Sequence, residues 1–160
     1  MTMKRYDRIL NEVFNSIDYD TKGYSIRNKD AFILVEEKGV FLIILIQKSD
    51  FSQSWKRFEY AVYSISSSQY IEKETDEYRL IIRDLPSLAD YQETDGDMDF
   101  LEECRYEDEF YGIVEEIGPN GTISDDLQER YINYLNEISN KKSPFLQTIY
   151  SYCLKLIKTD

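Results

Sequence analysis

The stretch AFILVEEKGVFLIILIQ, residues 31–47, decides the fold. Residues 31–37 and 40–47 each have the composition of a β-strand, and Gly39 between them can adopt the positive φ of a hairpin turn. Residues 40–46 are all apolar, so both faces of that strand should be covered. The stretch therefore predicts a β-hairpin whose second strand lies inside a sheet.

The flanking sequence extends this hairpin on both sides. Upstream, residues 3–17 place apolar side chains at helical spacing and predict an amphipathic helix. Downstream, residues 57–65 and 77–83 alternate in the manner of strands, so they are predicted to be the third and fourth strands of an antiparallel sheet. The serine-rich and then charged residues 64–76 indicate a loop or a strand extension.

The C-terminal half has the pattern of helices. We expect one helix over residues 98–117, a turn at residues 118–121, and a second helix that begins after an N-cap at Ser124. Residues 140–142 end the second helix. Pro144 starts a third, since proline is well tolerated at the first helical position.

These elements define an α+β fold: an N-terminal helix, a mostly antiparallel sheet of about four strands, and then three C-terminal helices, with the sheet covered on a face by helices. The length favours a single domain over residues 1–160. Within it, residues 1–89 supply a helix and the sheet, residues 90–130 an acidic segment, and residues 124–158 a helical hairpin.

The composition excludes several classes of function. The chain has no histidine, which removes Ser-His and Cys-His nucleophile pairs and zinc motifs built on two histidines. Its two cysteines, Cys104 and Cys153, are too few for a disulfide framework and are expected to be core thiols in a reducing compartment. The longest apolar run, residues 40–46, is too short to span a bilayer, and the N-terminus lacks a signal-peptide pattern. We therefore expect a cytoplasmic protein, without a cofactor or a dedicated metal.

The acidic residues are concentrated in one part of the sequence. Residues 90–130 contain 15 acidic and two basic side chains, whereas the net charge of the whole chain is −12. Clustered carboxylates repel one another in the folded state, and a protein that is acidic only for solubility would spread them. A binding surface for a basic partner explains the clustering, although an ordinary solvated helix face with an acidic loop would show the same pattern.

A helix over residues 98–117 would place several of these acidic side chains on one side. Glu102, Glu109 and Glu116 lie seven residues apart, about 10 Å per step, and are expected to form a solvent-facing ridge. Nearby tyrosines can supply contact area, while charge raises the rate of encounter with a basic protein. The opposite, apolar side is expected to carry Phe100, Leu101, Cys104, Tyr111 and Val114. The predicted partner-binding residues are Asp95, Asp97, Asp99, Glu102, Glu103, Tyr106, Glu107, Asp108, Glu109, Tyr111 and Glu116.

The leading hypothesis is a non-enzymatic inhibitor that neutralises a basic, nucleic-acid-processing protein, such as a nuclease toxin or a host defence nuclease. Its charge and size are similar to those of bacterial immunity proteins. Direct binding to nucleic acid is not expected, because the chain has no net basic surface. The sequence leaves open whether the protein forms a homodimer. A secretion- or assembly-type chaperone is the second hypothesis, since a body of helices and sheet with an acidic surface also suits that role.

A metal-dependent nuclease is the third hypothesis. Residues 33–38, ILVEEK, resemble the hydrophobic-run-then-E-x-K pattern of restriction-type nucleases, in which carboxylates hold magnesium and a lysine orients water. Asp30 is the nearest candidate for the additional aspartate, and Asp18 or Asp20, which would sit in a turn, are the other candidates. Asp95-Gly96-Asp97-Met98-Asp99 does not match a calcium loop, because Phe100 and Tyr106 occupy the positions of the required glycine and glutamate. A looser carboxylate site for a cation stays open.

One stretch also resembles a known family. Val114-Glu115-Glu116-Ile117-Gly118, followed by Gly121, Leu127-Gln128 and Tyr131-Ile132-Asn133-Tyr134, is similar to part of the ArdA-type antirestriction proteins. These are acidic DNA mimics from mobile elements, so the resemblance implies an anti-defence protein of phage or plasmid type. It is confined to residues 114–134, and the chain is not assigned to the family on this basis.

Overall fold

A computed structural model describes residues 4–20, 25–36, 39–49, 56–88, 100–139, 147–151 and 153. In chain order the elements are helix α1 (Arg5–Asp20), strands β1 (Ser25–Glu36), β2 (Gly39–Ser49), β3 (Lys56–Ser64) and β4 (Gln69–Ile71), and helices α2 (Asp76–Ile82), α3 (Phe100–Glu116) and α4 (Asp125–Ser139). A short 3-10 helix, Pro119–Gly121, precedes α4, and residues 147–151 are helical again. The predicted α+β class and element order are confirmed.

The sheet has four strands in the order β1-β2-β3-β4, and every pair is antiparallel. Its register places Ile33 opposite Leu42, and Leu42 opposite Tyr63. Consecutive residues of a strand point to opposite faces, and Leu42 and Ile43 are both fully buried. The predicted central strand is therefore covered on both faces, and the expectation that helices cover only one face is wrong.

Different helices cover the two faces. Tyr63 lies on the face that packs against α1, where α1 contacts β3. Tyr60, three residues earlier, points to the opposite face, and its hydroxyl donates to the carbonyl oxygen of Pro86 at 2.6 Å. On that second face, the Tyr78 hydroxyl of α2 donates to the carbonyl oxygen of Tyr60 at 2.6 Å. These bonds fix α2 and the residues that follow it against the sheet.

The prediction of a strand over residues 77–83 is wrong, because this segment forms α2. Thr75 caps the helix by accepting a hydrogen bond from the Tyr78 amide at 3.2 Å, and Asp76 and Glu77 lie favourably in its first turn. Tyr78 and Ile81 are buried while Leu80 is exposed, which is a helical rather than an alternating pattern. The fourth strand is instead the three-residue β4, inside the segment expected to be a loop or a strand extension.

Helix α3 is the centre of the C-terminal helical layer and contacts both α1 and α4. The side chain of Arg5 donates to the carbonyl oxygens of Val114, at 3.1 Å, and Ile117. It thereby binds carbonyl groups at the C-terminal end of α3, where a positive charge is also favourable. The predicted N-cap of α4 is confirmed, since Ser124 Oγ accepts from the Leu127 amide at 3.1 Å. The predicted start of the last helix at Pro144 lies outside the described residues.

A side chain of α4 closes the edge of the sheet. β1 is an edge strand, so the N–H and C=O groups that point away from β2 need other partners. The buried Tyr131 hydroxyl accepts from the Ile33 amide at 2.6 Å and lies 3.1 Å from the Ile33 carbonyl oxygen, to which it donates. Burial raises the pKa of Tyr131 well above its ordinary value. One neutral hydroxyl therefore satisfies both outward backbone groups of Ile33.

Among the helices of the described ranges, none is long and apolar enough to cross a membrane.

Candidate protein-binding surface

The buried stripe of α3 determines which of its carboxylates reach solvent. The side chains that it buries follow helical spacing, and they are Tyr106, Phe110, Ile113 and Val114; Ile117, just after the helix, is also buried. Leu101 was expected on this apolar side, but it is 77% exposed. Cys104 is half-buried, whereas Cys153 is buried. The expected apolar side is therefore wrong for Leu101, because the stripe that begins at Tyr106 sets the orientation of the helix.

The predicted partner-binding residues divide into several groups. Asp95, Asp97 and Asp99 lie outside the described residues. Glu103, Glu107 and Asp108 are exposed on α3, and none of them forms an ion pair with another described residue. Glu102 is half-buried near the start of the helix. The three exposed carboxylates are the part of the prediction that is directly available to a partner.

The remaining two glutamates of the predicted ridge, Glu109 and Glu116, pair with Arg130 of α4, whose single positive charge offsets one of their two negative charges. Arg130 Nε donates to Glu109 Oε1 at 2.6 Å, and Arg130 Nη1 donates to Glu116 Oε2. Gly112 makes room for this arginine, since a Cβ atom there would lie 2.8 Å from Arg130 Nη2. The Glu116 side chain is 59% exposed and that of Glu109 is 40% exposed, so both still reach solvent on the predicted ridge, but Arg130 bridges them.

The tyrosines of the prediction are held within the protein. Tyr106 is buried and packs edge-on against Tyr134 of α4, with ring centroids 6.2 Å apart. The Tyr111 hydroxyl donates to Asp7 Oδ1 of α1 at 2.7 Å. Desolvation and this bond raise the pKa of Tyr111, and the nearby charges of Glu107 and Asp108 act in the same direction. Both tyrosines join α3 to its neighbouring helices.

The sequence did not identify the α4 side of the acidic surface. A groove of about 460 Å³ runs between α3 and α4, with Tyr106 and Tyr134 among its lining residues. Four carboxylates and two guanidinium groups also line it, so its walls carry a net negative charge: Glu109, Asp126, Glu129, Glu137, Arg105 and Arg130. We call this the α3–α4 groove. The spacing of residues 126, 129, 133 and 137 along one side of a helix was the signal that could have revealed it.

The nuclease hypothesis depends on carboxylates that can reach one metal ion. They contain no group of three or more carboxylate or cysteine side chains that could together hold a metal ion. Glu36 pairs with Gly39 where the β1–β2 hairpin turns, and residues 37–38 lie outside the described part. Asp30 lies six residues before Glu36 on the same strand, roughly 20 Å away at 3.3 Å per residue. The backbone positions of these two residues are therefore far apart along β1.

No protein-family model matches the chain, and no match was found among curated proteins or among solved structures. The segment that resembles ArdA-type proteins comprises the end of α3, the 3-10 helix and the first half of α4. That resemblance stays a prediction.

Proposed function

We propose that this protein is a non-enzymatic inhibitor that binds a basic, nucleic-acid-processing protein through the acidic surface of α3 and α4. The observation that carries the proposal is the state of Glu103, Glu107 and Asp108. All three are exposed, and none has a cationic partner among the described residues. A cationic surface on another protein would relieve their mutual repulsion, and its approach would be accelerated by the charge.

The α3–α4 groove supports the same class of partner. Its excess of carboxylates over guanidinium groups disfavours an anionic ligand such as nucleic acid and favours a cationic side chain. Arg130 limits this charge by pairing with Glu109 and Glu116, so the proposal rests on the remaining carboxylates. An immunity protein or a phage- or plasmid-type anti-defence protein in the cytoplasm is the biological role that fits such a surface.

The test begins with affinity capture from cells of the organism that encodes the chain. The bait is the full-length protein, and the matched baits are the double variants Glu107→Lys/Asp108→Lys and Glu72→Lys/Glu74→Lys. The second variant makes the same change of charge at exposed positions between β4 and α2. We expect the wild type and the Glu72/Glu74 variant to retain one basic protein that the Glu107/Asp108 variant loses.

The captured protein is then assayed for cleavage or modification of nucleic acid. We expect its activity to fall when the wild-type chain is added, and to recover with the Glu107/Asp108 variant. Capture of an acidic protein, or of a nuclease that stays fully active in the complex, would contradict the proposal. Capture of an unfolded segment of a single client would favour the chaperone hypothesis.

A further inference from the structure

An apolar cavity lies between the turn end of the β1–β2 hairpin and the junction of α3 with α4. Its volume is about 200 Å³. The sheet, α3 and α4 each contribute to its wall, with Ile33, Val35, Ile113, Ile117, Leu127 and Tyr131. The cavity is separate from the α3–α4 groove, because the two have no lining residue in common.

The cavity is partly open to solvent, because Val35, Ile123 and Gln128 in its wall are only half-buried, and its volume is large beside the voids found in protein interiors. Interiors are packed as densely as organic crystals, and voids larger than a water molecule are few. An engineered apolar cavity of about 150 Å³ in another protein stays dry and binds benzene. A cavity of about 200 Å³ therefore has room for a six-carbon ring with a short alkyl substituent.

The elements around the cavity are held in place, so it does not close by simple collapse. Tyr131 is bonded to both outward backbone groups of Ile33, which ties α4 to β1. Arg5 ties the end of α3 to α1 through the Val114 carbonyl oxygen. Gly121, which also lines the cavity, has a φ of +81° and lies so close to Val40 that a Cβ atom would be 3.3 Å from Val40 Cβ.

The side chains that line the cavity disfavour a charged ligand. None of the lining side chains is ionised at neutral pH, and the only side-chain polar groups are those of Gln128 and Tyr131. The Tyr131 hydroxyl is already engaged with Ile33 as donor and acceptor. A buried ammonium or carboxylate group would therefore lose its hydration without gaining a counter-charge. We propose that this cavity is a binding site for a small, neutral, apolar molecule of about the size of toluene.

The inference does not depend on the acidic surface, and it is tested with the purified full chain. Toluene, benzoate and benzylammonium are titrated separately while the methyl signals of isoleucine and leucine are followed by NMR. We expect saturable toluene-induced shifts at Ile113 and Leu127, and binding of both charged probes weaker by at least about tenfold. The inference is overturned if toluene gives no saturable shifts up to its solubility, or shifts the exposed Leu101 signals equally.

Two variants of Ile123, a half-buried lining residue, test the location. Ile123→Phe fills the cavity and is expected to abolish toluene binding, whereas Leu101→Phe, the matched change at an exposed position, should leave it unchanged. Ile123→Ala enlarges the cavity and should shift the preference from toluene toward the larger isobutylbenzene. Toluene binding unchanged in a folded Ile123→Phe variant would refute the location. If that variant does not fold, an unchanged preference in Ile123→Ala refutes it.

Discussion

Replacing Tyr131 by phenylalanine keeps the aromatic ring of α4 in place and removes only the hydroxyl that closes the edge of β1. In the wild type that hydroxyl lies 2.6 Å from the amide nitrogen and 3.1 Å from the carbonyl oxygen of Ile33. Ile33 and Tyr131 are both buried, so water cannot easily replace the lost partner. The variant leaves one backbone donor and one acceptor unsatisfied.

The size of the effect follows from these two groups. An unsatisfied buried polar group costs about 1–3 kcal/mol, so we expect Tyr131→Phe to lower the free energy of unfolding by about 2–4 kcal/mol. That is a large part of the roughly 5–15 kcal/mol that stabilises a typical protein. For a chain of this length the corresponding fall in Tm is about 5–15 °C.

Urea denaturation followed by far-UV circular dichroism measures the change, and hydrogen exchange locates it at the Ile33 amide. Tyr106→Phe is the matched control, because its ring is also buried while its hydroxyl bonds to no described residue. The control should lower the free energy of unfolding by less than about 1 kcal/mol. A Tyr131→Phe variant within about 0.5 kcal/mol of the wild type, with an equally protected Ile33 amide, would refute this account of how the edge is closed.

Three further changes have defined expected outcomes. Gly121→Ala should lower the free energy of unfolding, measured by urea denaturation, by about 1–3 kcal/mol. An alanine at a φ of +81° is strained, and its Cβ would collide with Ser66 Oγ. A variant as stable as the wild type would contradict this expectation. Burial raises the pKa of Tyr60 and of the Cys153 thiol, so these groups ionise more readily in the unfolded chain. Their stabilising effect is complete below about pH 8, under the ordinary pKa of a cysteine thiol, and is lost as the pH rises toward the raised pKa values, so urea midpoints should be flat up to that pH and then fall. Arg130→Gln should cost no more than about 1 kcal/mol, because its ion pairs are partly exposed, and calorimetry should show tighter binding of a basic partner because two carboxylates are released.

The sheet could be predicted from the sequence where local pattern and tertiary environment agree. Residues 40–46 are apolar without interruption, and the neighbouring turn at Gly39 and the strand pattern of residues 31–37 favour a strand covered on both faces, which the structure has. Residues 77–83 show the limit of this reasoning, since their alternation of apolar and charged side chains fits a strand as well as a short helix. The N-cap at Thr75 and the burial of Ile81 favour the helix. Of these two features, the capping residue Thr75 could have been recognised in the sequence.

The acidic segment could be located from the sequence, but the ion pairs that its carboxylates form could not be predicted. Charge counts identify the segment, whereas the side of α3 that faces α4 depends on how the two helices pack. The bridge from Arg130 to Glu109 and Glu116 spans 14 to 21 residues and follows from that packing. The burial of Tyr106 likewise depends on its contact with Tyr134, a residue of another helix.

The central claim is that the α3 carboxylates that have no ion-pair partner among the described residues bind a basic protein. Titration calorimetry of the isolated partner against the wild type, Glu107→Lys/Asp108→Lys and Glu72→Lys/Glu74→Lys measures it most directly. The claim predicts a loss of affinity of at least about tenfold for the Glu107/Asp108 variant, diminishing with added salt, and a change within about twofold for the other. Equal affinities for the two variants, or a loss that salt does not affect, would contradict it.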